Sequence, residues 1–155
     1  MLTEDIKKSI DKSVLCWLAT SNQAGEPNVS PKEIFIAYDD STLLVANIAS
    51  PNSARNIKAN PHVCVSFVDI FVQKGYQLKG KAKIIDTTDS SYHEKRQLLT
   101  DAFTDKFPIP SIIEIKITTA HPIIAPSYRF YPETTEESQV EDAMKTYGVQ
   151  PIERN

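Results

Sequence analysis

The sequence predicts a β-rich domain, of α+β or barrel type, built from short antiparallel strands with a few peripheral helices. Three observations carry this. Most apolar runs are five to ten residues long and rich in β-branched or aromatic residues. Tight-turn residues such as Asp39-Asp40-Ser41 and Gln73-Lys74-Gly75 separate them. Helical patterning is confined to the two ends, one short Ser-Pro start and one segment after residue 87.

Thr3 to Ser13 reads as a first helix. Thr3 is placed to cap it, Glu4 and Asp5 suit its positive end, and Ile6 and Ile10 lie one turn apart. Val14 to Thr20 is almost continuously apolar, which predicts a strand buried on both faces. After the turn residues SNQAGEP, Asn28 to Ala37 is a second strand, with Pro31 forcing an irregular or edge position. Thr42 to Ala46 is a third, so the second and third form a hairpin. Ser50-Pro51 opens a helix with Ser50 as cap and Pro51 at the first position, and Pro61 ends it by about Ala59. Val63 to Val68 and Tyr76 to Ile85 are the fourth and fifth strands. Thr88 to Phe103 is helical, and Ile112 to Thr118 is the sixth strand. Glu133 to Tyr147 is an acidic terminal helix stopped by Gly148. Residues 1–155 form one domain, with 126–155 a C-terminal extension ending in that helix.

Composition narrows the function classes. The chain has 155 residues, 41% hydrophobic and 24% charged, with formal net charge −3. That balance argues against nucleic acid as the main partner, because backbone binding draws on a basic surface. Lys74, Lys79, Lys81 and Lys83 alternate as on a solvated or edge face. Mean hydropathy is −0.30. No apolar run approaches the ~20 residues of a membrane span, and the N-terminus lacks a signal peptide's apolar stretch, so a cytoplasmic location is expected. Cys16 and Cys64 each sit in a strand-like run and read as buried core thiols. Neither forms a CxxC pair, and His62, His93 and His121 show no metal-ligand spacing, so no metal is expected.

The segments LATSNQAGEPNVSPKE (18–33), LLVANIASPNSARNIKANPHVCVSF (43–67) and YQLKGKAKI (76–84), in this order, resemble the FMN-binding split barrels related to pyridoxamine 5′-phosphate oxidase. The resemblance spans roughly Leu2 to Thr118. It implies a six-stranded antiparallel split barrel that forms a homodimer, with FMN in the clefts between protomers. It also implies flavin contacts at Ser30, Pro31, Lys32 and Glu33, then Val45, Ala46 and Asn47, then Asn52 and Ser53. The activity it implies is an FMN-dependent oxidoreductase passing electrons from a reduced donor, such as a nicotinamide, to a small acceptor. The alternative is a non-catalytic flavin carrier or sensor. Some relatives bind haem or a deazaflavin instead; haem would want one of the three histidines.

Physical chemistry bears on the same residues. The helix opened by Ser50-Pro51 has unpaired N–H groups and partial positive charge, suited to a phosphate. Many family members place Lys or Arg at the positions of Asn52 and Ser53. Both are neutral here, which removes two charge-assisted hydrogen bonds of ~1.5–3 kcal/mol each. Arg55, Lys58 or a partner's cation would have to compensate. Lys32 is a candidate to stabilise reduced flavin near its N1/C2 edge; as an ordinary strand lysine it would instead be exposed and paired with Glu33. Trp17 and the cluster Tyr128, Phe130 and Tyr131 suit core or interface packing, or stacking on a ring. The segment after Pro126 carries only Arg129 and Arg154 as arginines and is acidic overall. That argues against pyridoxamine 5′-phosphate oxidase activity itself, which must grip a substrate phosphate.

Overall fold

The computed structural model describes residues 1–152; Arg154 lies outside them. The described residues form five helices and seven strands in the order α1 (Glu4–Lys12), β1 (Cys16–Ser21), β2 (Pro27–Lys32), β3 (Phe35–Ala37), β4 (Thr42–Asn47), α2 (Pro51–Ala59), β5 (His62–Asp69), β6 (Lys74–Asp86), α3 (Tyr92–Ala102), β7 (Ser111–Ile124), α4 (Ser127–Phe130) and α5 (Glu136–Tyr147).

All strand pairings are antiparallel, in the order β2-β1-β5-β6-β7-β4-β3. β2 and β3 stand at opposite ends of that order, yet only Glu33 and Ile34 separate them in the chain. In a flat sheet, six inter-strand steps would hold them ~29 Å apart. Three peptide steps from Lys32 to Phe35 reach at most ~11 Å. The sheet must therefore curl until its two margins nearly meet, giving a split barrel whose seam is crossed at Glu33-Ile34.

The seam explains the one strand too many. The single strand expected over Asn28–Ala37 is two strands, because one half pairs with β1 and the other with β4. The Ile34 carbonyl already accepts the Ala46 N–H at 2.9 Å. Pro31 is tolerated because β2 is a margin strand.

Two apolar clusters hold the curl. The inner one joins Leu18, Phe35, Val45, Phe67, Leu78 and Ile113, and is plugged by Ile6 and Ile10 of α1 and Ile57 of α2. The second lies between the other face of β4 and β7 and helix α3, through Leu44, Ile112, Tyr92 and Leu99. No such cover reaches β1. Cys16 and Leu18 are fully buried, but Trp17 between them is 49% exposed. The expected two-sided burial of β1 therefore fails; its outer face is open in the single chain. Cys64 likewise is half-buried, not a core thiol, whereas Cys16 is buried.

Other boundaries shift for local reasons. Asp86 and Asp89 accept the Thr88 and Ser91 N–H groups at 2.9 and 2.8 Å, which ties 86–91 into Asx turns and delays α3 to Tyr92. β7 runs to Ile124 because the long β6 ladder pairs with it as far as Lys74. That ladder makes β6 an interior strand, so its lysine row marks a solvated face and not an edge. Thr135 caps α5 in a capping box, and Gly148 closes it at φ 65°. The C-terminal extension is clasped to the β5–β6 turn by Lys74–Glu136 at 2.7 Å and by Tyr128 Oη donating to the Val72 carbonyl at 2.8 Å.

Gly75, at the start of β6, has no room for a side chain. A Cβ there would collide with the Phe67 carbonyl oxygen and stand 2.7 Å from the Val68 Cα. Both are backbone atoms and cannot swing aside. Gly75→Ala is expected to lower unfolding stability by about 2–4 kcal/mol, read by urea denaturation; a loss under about 0.5 kcal/mol would show that β5 and β6 are less rigidly paired than described.

Candidate functional site

Strand parity builds the site. On β2, Asn28, Ser30 and Lys32 pair with Thr20, Leu18 and Cys16, which lie on the buried side of β1. Their side chains therefore meet the first turn of α2. Ser53 is fully buried there; its Oγ accepts from Asn28 Nδ2 at 3.3 Å and shares a hydrogen bond with Ser30 Oγ at 3.1 Å. Thr20 Oγ1 accepts from Asn28 and Asn56 at 3.4 and 3.1 Å. A seam of hydroxyls and amides thus fastens β2 to α2.

Lys32 ends this row. It is 94% buried, being only 6% exposed, and its Nζ donates to Ser50 Oγ at the head of α2. Ser50 accordingly does not cap the helix with its side chain, contrary to expectation. Among the described residues, no carboxylate forms an ion pair with Lys32. Glu33 next to it is exposed and unpaired with it, so the expected surface pair is not formed. Burial pushes the Lys32 pKa down, and neighbouring Cys16 only partly opposes this. Lys95 makes the contrast. It is equally buried, but Glu114 Oε2 lies 2.5 Å away. There burial also acts downward, yet the Glu114 hydrogen bond and charge carry the pKa up. The Cys16 thiol is pushed up to about 12 by burial, so it is no nucleophile.

A cavity of about 590 Å³ opens at the seam. Of the nine residues expected at a cofactor, it brings together Ser30, Pro31, Lys32, Glu33 and Ala46. It adds Ser50, with apolar walls from Leu15, Trp17, Ile34, Ile48 and Phe107. The other four lie elsewhere. Asn52 is exposed in the first turn of α2, and Ser53 is buried behind it. Val45 is wholly in the core. Asn47 is 7% exposed; its Nδ2 donates to Ser111 Oγ at 2.9 Å, while its Oδ1 has no partner. A second, mostly apolar hollow of about 450 Å³ shares Leu15 and Trp17 with the first and extends to Ile70 and Phe71. None of the three histidines lines either space; His62 borders a shallow hollow with Cys64. No cluster of three or more metal-ligating side chains occurs among the described residues.

The contribution of Trp17 and Ile34 depends on which face of which strand turns to the seam, and Phe107 arrives from a loop without local pattern. The Asn28, Ser30 and Lys32 row was there to be read from period-two spacing alone.

Comparison with known proteins agrees with this fold. The model of the family described as pyridoxamine 5′-phosphate oxidase matches residues 2–122. No curated protein matches the chain. Among solved structures, HupZ of Group A Streptococcus is 25% identical with TM-score 0.67, covering 77% of this chain and 92% of its own. An FMN-binding protein from Syntrophomonas wolfei subsp. wolfei is 16% identical with TM-score 0.67, over 80% of this chain and 87% of its own. HutZ, the heme storage protein from Vibrio cholerae, is 16% identical with TM-score 0.60, over 79% and 94%.

A buried ammonium without a counterion costs stability. Because the folded-state pKa of Lys32 lies below its unfolded value, the cost is full below the folded-state pKa and is relieved as pH rises from there toward the unfolded value. Lys32→Met is therefore expected to raise the melting temperature of ligand-free protein at pH 7 by a few degrees, with the gain shrinking toward pH 10. A lowered melting temperature at pH 7 would show that the ammonium is compensated.

Proposed function

The chain belongs to the pyridoxamine 5′-phosphate oxidase family, and from this premise we propose that it is an FMN-dependent oxidoreductase working as a homodimer in the cytoplasm. The observation that carries the reading is the seam cavity, which joins a buried lysine without a carboxylate partner to Ser50, the N-cap residue of α2, and to apolar walls. Its size falls within the ~300–1,000 Å³ of ordinary ligand sites. A phosphorylated flavin has the matching parts: a dianionic end for the cation and helix start, and a flat apolar body for Trp17, Ile34, Ile48 and Phe107. Backbone groups of Ser30 to Glu33, among which Pro31 offers only its carbonyl, would meet its polar edge. Bound FMN would supply hydride or two-electron transfer between a nicotinamide-type donor and a small acceptor. The residues of the chain hold, orient and shield it.

A second reading, a flavin carrier or sensor without turnover, is favoured by one observation. The ionisable groups lining the cavity are Lys32 and Glu33, with no imidazole or second carboxylate to form an acid–base pair. Haem has less support, since it would want an axial ligand and no histidine lines the cavity. No helix is long and apolar enough to cross a membrane among the described residues.

A homodimer would cover the open face of β1. Val14 is 80% exposed, Leu15 36%, Trp17 49% and Ile70 47%, an apolar group that also walls the two hollows.

Protein purified without added cofactor is expected to be yellow and to bleach with a nicotinamide donor. Ser50→Asp places a carboxylate at the N-cap, where it favours the helix and neutralises Lys32 but repels a phosphate; flavin content should fall about tenfold or more without loss of apo stability. Retained flavin would remove α2 from the site. Trp17→Glu should give a folded monomer by light scattering with little flavin; a flavin-loaded monomer would contradict a site shared between copies.

A further inference from the structure

We infer that Lys32 grips the phosphate end of the flavin, not its ring, and replaces the cation missing from the first turn of α2. The inference rests on the FMN reading above and decides how that site recognises its ligand.

The helix start alone would not carry this. Three observations converge on it. The Lys32 ammonium crosses from β2 to the head of α2, where it meets Ser50 Oγ. Ser50 is the N-cap residue, and its side chain satisfies no helix N–H; Pro51 has none to satisfy, and those of Asn52 and Ser53 receive no cap from it. Lys32 is 94% buried with no carboxylate partner among the described residues, whereas the comparably buried Lys95 has Glu114. A desolvated cation at the head of a helix, with no carboxylate to neutralise it, suits an anionic ligand group.

The other candidates for that charge fall away. Asn52 is neutral and exposed. Ser53 is neutral, fully buried and spent on Asn28 and Ser30. Arg55 and Lys58 are exposed further along α2, and neither lines the cavity. The cation that could have come with the helix has come instead from the facing strand.

The consequence is a rule of ligand choice. A cation at the phosphate discriminates FMN from riboflavin, which has the same ring and no phosphate. A cation at the ring would serve both equally. Flavin-free protein is to be titrated with FMN and with riboflavin, following quenching of flavin fluorescence, for the native chain, Lys32→Met and Lys32→Arg. The expected result is a strong native preference for FMN that narrows ~10-fold or more in Lys32→Met, through lost FMN affinity alone. Lys32→Arg should keep most of the preference. If Lys32→Met weakens both flavins equally, or the native chain binds both equally, the inference is overturned and the flavin reading stands. If the native chain binds neither, the flavin reading falls and takes the inference with it. Should Lys32→Met fail to fold, Lys32→Gln removes the charge while keeping a donor for Ser50, and is read in the same way.

Discussion

The rest of this structure depends on the three peptide steps between Lys32 and Phe35. They tie together strands at opposite margins of a seven-stranded sheet. A chain that short permits only a curled sheet. The curl encloses one core and leaves a seam, and at the seam β2, β4 and the head of α2 converge. The cavity is thus a product of topology: it lies where the barrel fails to close, with polar groups supplied by β2 and apolar walls by residues that turn away from the inner core.

Energetics separates the two buried lysines. Lys95 and Lys32 are both almost wholly buried. Lys95 is bonded to Glu114 and Ser91 and fastens α3 to β7. Lys32 has only a hydroxyl. Holding a charge out of water without a counter-charge costs several kcal/mol, and on the proposed reading the phosphate of FMN offsets that cost. The hydroxyl and amide seam beside it shows how fully the other buried polar groups are satisfied. Among the described residues the exception is Asn47 Oδ1, on β4, the strand that borders the cavity at Ala46.

Much of the fold was legible in the sequence. Capping and proline chemistry gave α1 and α2 almost to the residue, and Gly148 marked the end of α5. The alternation of β-branched residues gave the strands. What was not legible depends on long-range pairing. Nothing local in Asn28–Ala37 says that it changes partners at Glu33, and a run as apolar as Val14–Thr20 gives no sign that Trp17 faces outward. At the site, Ser30 to Glu33 and Ala46 were found from the resemblance and do line the cavity, while Val45 is core. The Lys32–Ser50 contact was missed because it joins residues 18 apart in sequence through a helix start that the cap preference of Ser50 had already seemed to account for.

The account stands on one claim: the seam cavity, with its uncompensated ammonium, holds FMN. The most direct test is a titration of flavin-free protein with FMN, following fluorescence quenching and melting temperature together. The account predicts saturable quenching with one flavin per chain and a melting temperature that climbs with FMN concentration. Unquenched fluorescence and an unmoved melting temperature at saturating FMN would contradict it.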